Sequence, residues 1–160
     1  MENHLGNRPH KAPFPLKTQI ALREDVIEKV KLKFLPDDRI IKILLIGSSV
    51  KASFGKYAPP GFRGSLYSDF DFIFFVEDDY AIPQWLAKDP LGKPFHDKGL
   101  DLAYKIKKFI DEKYNAEIFF VRRATMENPM LQKDGELAGI PMTNKSKQKH
   151  LIIYCSQSSH

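Results

Sequence analysis

The sequence predicts an α+β fold in which a mixed β-sheet is flanked by helices. Three observations carry that prediction. Two short runs, Arg39-Ile-Ile-Lys-Ile-Leu-Leu-Ile46 and Phe70-Asp-Phe-Ile-Phe-Phe-Val76, are too apolar and too rich in β-branched and aromatic residues for exposed segments, and read as buried strands. Stretches with apolar residues at helical spacing precede the first run and follow the second. Alternation of the two element types implies a sheet covered by helices. With 160 residues, 42% of them hydrophobic and 12% aromatic, the chain is long enough for one well-filled core.

Residues 1–19 hold Gly6, Pro9, Pro13 and Pro15 among scattered basic residues and show no apolar period, so they read as a flexible N-terminal arm. Residues 20–160 then form a single domain. From Arg23 to Leu35 a helix is expected: Val26, Ile27, Val30 and Phe34 share one face, Glu24 and Asp25 suit the first turn, and Pro36 ends it. The strand at 39–46 runs directly into Gly47-Ser48-Ser49, a tight turn, with a short helix expected over Val50–Phe54. Gly55 to Gly64 is dense in Gly and Pro and reads as a loop before a strand over Asp69–Val76. Pro83, Pro90 and Pro94 make Glu77–His96 irregular. A second helix is expected from an N-cap at Asp97, with Leu102, Ala103, Ile106, Phe109, Ile110 and Tyr114 as its stripe. Strands follow at Ala116–Val121 and Leu151–Cys155, separated by a stretch without clear period.

The net charge of +5 favours an anionic partner such as a nucleotide or nucleic acid. The one cysteine, Cys155, has no internal partner, and no apolar stretch is long enough for a signal peptide or a membrane span; the expected setting is reducing and cytoplasmic, with no membrane partner. The histidines at 4, 10, 96, 150 and 160 lack zinc spacing. A Walker A loop ending at Gly55-Lys56 is excluded by Val50 and Tyr57, and an EF-hand starting at Asp69 by Ile73.

Asp69 and Asp71 sit at the start of the second buried run. Side chains two apart on a strand point the same way, roughly 6.6–6.8 Å apart along the chain. Such a pair either lies at a solvent-exposed strand end or relieves its repulsion by holding a divalent metal through oxygen ligands. Upstream, Gly47-Ser48-Ser49 presents backbone N–H groups and hydroxyls of the kind that hold phosphate oxygens, although a Gly-Ser turn also occurs with no ligand.

The succession of an apolar strand with "LLIGSSVKASFG", a Gly-rich "PPGFRGSLY" and then "SDFDFIFFV" resembles the DNA polymerase beta-like nucleotidyltransferase superfamily over about residues 39–121. The resemblance implies a nucleotidyltransferase-like sheet and a metal-dependent transfer of a nucleoside monophosphate from an NTP to a hydroxyl, releasing pyrophosphate. It implies that Asp69 and Asp71 hold two Mg²⁺ ions and that Gly47 and Ser48, assisted by Ser49, hold the triphosphate. Glu117 in "NAEIFFV" stands where the pattern expects a third acid that completes a metal site and helps deprotonate the acceptor, with Glu136 in "DGELAG" in reserve. Lys51, Lys56, Arg63 and Arg122 are further candidates for phosphate contact, and Tyr57, Phe62, Tyr67 and Trp85 for stacking on a base. The acceptor, whether small molecule, protein or RNA, is not written in the sequence. The rival expectation is a non-catalytic module of the same fold, sensing nucleotides or binding a protein in a regulatory pair.

Overall fold

A computed structural model describes residues 10–61, 64–88 and 103–156. Strand β1 (His10–Pro13) leads into helix α1 (Leu16–Phe34), which is followed by β2 (Ile40–Ile46), a single 3-10 turn at Gly47–Ser49, β3 (Gly55–Ala58) and β4 (Phe70–Val76). After β5 (Ala87–Lys88) come β6 (Tyr104–Ile110), β7 (Tyr114–Arg122), the one-turn helix α2 (Arg123–Met126), the short pair β8 (Glu136–Leu137) and β9 (Ile140–Pro141), and β10 (Leu151–Cys155).

The main sheet has six strands in the order β10-β2-β4-β7-β6-β5. It is mixed: β4 and β7 are parallel and the other neighbours antiparallel. Strands β2 and β4 are buried on both faces over most of their length, which explains why both are almost continuously apolar. Phe70, Phe72, Phe74 and Val76 meet Leu22, Val26, Val30 and Phe34 of α1 in one core, with Ile118 and Phe120 of β7. Phe74 is the hub of its aromatic contacts, its ring centroid 4.7 Å from Phe34 and 5.5 Å from Phe120. Ile73 and Phe75 point the other way, onto Val121, Leu137, Ile140 and Met142. The structure is thus α+β with a mixed sheet, but the expected flanking by helices holds on one face only. The β8–β9 hairpin and the single turn of α2 cover the other.

Three expectations are corrected. The arm expected at 1–19 is ordered from His10: β1 pairs with β3, and α1 begins at Leu16 directly after Pro15. Prolines 13 and 15, read as breakers, precede a helix whose start tolerates a fixed φ and a missing N–H. Glu24 and Asp25 consequently lie in mid-helix rather than in the first turn; residues 1–9 lie outside the described residues. The expected helix at Val50–Phe54 is absent, the chain leaving the 3-10 turn into the β1–β3 ribbon, so part of the expected Gly55–Gly64 loop is a strand.

The largest correction concerns the helix expected from Asp97. Its described part, from Tyr104, is the antiparallel pair β6–β7. In β6 the pairing shifts between Ile106 and Ile110, where Lys108 takes φ +51°, so Phe109 and Ile110 are both buried. The bulge, followed by a turn over 111–113, spaces apolar residues three and four apart and imitates a helical stripe. Asp97 and Leu102 lie outside the described residues.

Candidate functional site

Across the middle of the sheet, β4 carries Asp71 opposite Glu117 of parallel β7 and opposite Ile46 of β2. Residues matched in this way on adjacent strands project from the same face. Asp69 immediately precedes β4 and by alternation shares that face. Lys105, matched with Glu117 on the far side of β7, reaches back over both: its Nζ lies 3.8 Å from Asp69 Oδ2 and 3.9 Å from Glu117 Oε2. The fold therefore brings Asp69, Asp71 and Glu117 together.

The electrostatics follow from this crowding. Burial pushes the Asp71 carboxyl up to about 8, and the charges of Glu117 and Asp69 push in the same direction, against Lys105 and Lys11. Lys11, on β1, lies close enough to feel Asp71: burial lowers its pKa and the Asp71 charge partly restores it. Neither lysine was recognisable as part of the site, since Lys11 lies in the stretch read as an arm and Lys105 in the stretch read as a helix.

Gly47 closes the other flank. It has φ +83°, and a Cβ placed there would stand 2.6 Å from Asp71 Oδ2, so the turn after β2 touches the carboxylate and has no room for a side chain. Helix α1 braces this turn. Gln19, buried, donates through Nε2 to the carbonyls of Phe14 and Ala52, and its Oε1 accepts from Phe54 N; Arg23 Nη1 donates to the Ser49 carbonyl. Ser48 is partly buried, and its carbonyl accepts from Ser53 N. Ser49 is buried and its hydroxyl has no hydrogen-bond partner among the described residues, an uncommon state for a buried polar atom. Replacing Gly47 by Ala is expected to cost about 2 kcal/mol through the left-handed backbone and the clash with Asp71. Urea denaturation of G47A reads this, and an unchanged midpoint would show that the turn does not abut the carboxylate.

Glu136 and Arg122 fall outside this cluster. Glu136 lies on the β8–β9 hairpin, where its carboxylate accepts from Lys147 N, and the register gives Glu117, not Glu136, to Asp71. Arg122 is matched with Val76, at the opposite end of β4, roughly 17 Å from Asp71 by strand rise, and donates to the carbonyls of Glu77, Asp78 and Tyr80. Lys51 and Lys56 are exposed; Lys51 follows the glycine turn, its N–H donating to the Gly47 carbonyl, and its charge is felt at Lys11, which lies over Tyr57. Tyr67 packs against Phe14 and Tyr114. Arg63 and Phe62 lie outside the described residues.

Three carboxylates present hard oxygen donors of the type Mg²⁺ takes. A dication would also offset the burial and the neighbouring charges that raise Asp71. As the side chains stand, no three His, Cys, Asp or Glu groups among the described residues form a ready metal cluster, and Lys105 spans Asp69 and Glu117. Among the described residues no helix is long and apolar enough to cross a membrane. Compared with known proteins, the chain matches no family model, and no curated protein matches it significantly.

Proposed function

We propose that the chain is a metal-dependent nucleotidyltransferase with a nucleotidyltransferase-like fold, acting on an NTP and a hydroxyl acceptor. The observation that carries this reading is the placement of Asp71 between a glycine turn that touches it and a second acid at the same register of the neighbouring strand. Burial and crowding make the charged Asp71 carboxylate costly to stability, and raised carboxyl pKa values concentrate at functional sites. The buried Ser49 hydroxyl, two residues beyond Gly47 in the same turn and without a hydrogen-bond partner among the described residues, supports the same reading.

In this reading Gly47, Ser48 and Ser49 receive the triphosphate at the turn, while Asp69, Asp71 and Glu117 would hold Mg²⁺. Bound there, the metal would neutralise charge on the phosphates. The acceptor hydroxyl approaches from the Glu117 side and its proton passes to that carboxylate. A new oxygen–phosphorus bond forms at the α-phosphorus, the bond to the β-phosphate oxygen breaks, and pyrophosphate leaves with that electron pair. The protein's share is positioning and charge balance.

One observation favours the alternative, a non-catalytic module that binds nucleotide or a partner protein: Lys105 already occupies the space between two of the acids. Incubation with α-labelled NTPs, Mg²⁺ and fractionated cell extract separates the two. Transfer of label to an acceptor, lost in Asp69→Asn and Asp71→Asn, is expected. Nucleotide binding without any labelled product in wild type would establish the non-catalytic module.

A further inference from the structure

The strand order assigns a flank to each reactant. The phosphate turn follows β2, on one side of β4, whereas β7, β6 and β5 extend on the other. A cleft of about 1000 Å³ opens on that second side and reaches the acidic cluster at Asp69 and at Lys105, which pairs with it. Its size is at the upper end of the range for small-molecule sites.

The walls of this cleft are cationic. Besides Lys105, which is engaged with the acids, Lys88, Lys107, Lys108 and Lys113 line it. Away from Asp69, the only carboxylate among its described lining residues is Glu112. Lys107, Lys108 and Lys113 are exposed, so their charge is available to a ligand. The cleft also holds Trp85, which is 50% exposed although one side of its ring rests near Phe34 and Lys33. A cationic groove with an exposed aromatic ring is the arrangement that tracks a phosphodiester backbone and stacks a base. It matches a neutral small molecule poorly, since among the described lining residues the lysines outnumber the carboxylates Asp69 and Glu112.

We infer that this cleft binds the end of a single-stranded nucleic acid and delivers its terminal hydroxyl to the acids, so that the acceptor is a polynucleotide. This rests on the transferase reading for the use made of the strand, but the binding itself does not require it. RNA and DNA share the chemistry invoked, phosphates along the lysines and a base on Trp85.

The test is fluorescence anisotropy with short labelled single-stranded RNA and DNA oligonucleotides, with no NTP or Mg²⁺ present and with labelled polyglutamate of equal charge as control. Wild type is expected to bind at least one oligonucleotide, more tightly than polyglutamate and less tightly as salt rises. The double replacement Lys107→Glu with Lys113→Glu, at exposed positions, is expected to weaken binding about tenfold or more through lost phosphate contacts. Trp85→Ala is expected to weaken it about fivefold or more through lost stacking. Thermal denaturation of each variant guards against unfolding. Absent oligonucleotide binding, equal affinity for polyglutamate, or unchanged affinity in the folded lysine variant would overturn the proposal. Because the assay contains neither NTP nor Mg²⁺, a failed transferase reading with intact, lysine-dependent binding would leave this cleft standing.

Discussion

In metal-free buffer at pH 8.5, Asp71→Asn is expected to be more stable than the wild-type protein. Burial and two neighbouring acids raise the Asp71 carboxyl from 3.8 to about 8. Between those values the native state keeps a proton that the unfolded chain releases, so stability falls as pH rises through this window and levels off above it. A shift of that size corresponds to at most about 6 kcal/mol, and the water reaching a partly buried carboxylate brings it to on the order of 3 kcal/mol. Asn preserves the shape and removes the charge. The variant should therefore melt about 6 to 12 °C higher than wild type at pH 8.5. Near pH 4, where the native Asp71 is neutral, the difference should nearly vanish. Thermal melts of both proteins at the two pH values measure this directly; parallel pH profiles would mean that the carboxylate is well solvated and that the crowding described above is not felt.

The parts of this arrangement that were legible in the sequence are those governed by burial. Strands β2 and β4 stand out because a strand covered on both faces has no polar alternation to obscure it, and the two aspartates stand out against such a run. Period-two geometry was enough to place Asp69 and Asp71 on one face. Glu117 was identifiable only as an acid inside an apolar run; its match with Asp71 depends on the parallel register of β7, which no local signal encodes. What stayed hidden has particular causes. The bulge at Lys108 made β6 imitate a helix and so concealed that Lys105 faces the acids. Lys11 was hidden because β1 pairs with β3, more than forty residues away, a pairing set by tertiary contact rather than by propensity. Gln19, which ties α1 to the turn after Ser49, looks in the sequence like any polar helix residue.

The second large effect concerns the same carboxylates with their expected ligands. A dication held by Asp69 and Asp71 would displace or share the role of Lys105, and a triphosphate would bring charge that the turn at Gly47 alone does not balance. Metal and nucleotide are therefore expected to bind together. By mass action a ligand at one hundred times its Kd stabilises the native state by about 2.7 kcal/mol, or about 5 to 10 °C for a chain of this size. The decisive measurement is thermal denaturation of wild type, Asp69→Asn and Asp71→Asn with each NTP, with and without Mg²⁺. Stabilisation of wild type that needs both Mg²⁺ and an NTP and is lost in both variants is the predicted result. Stabilisation that is absent, independent of metal, or retained in either variant would contradict a shared site for cations and polyphosphate at these residues.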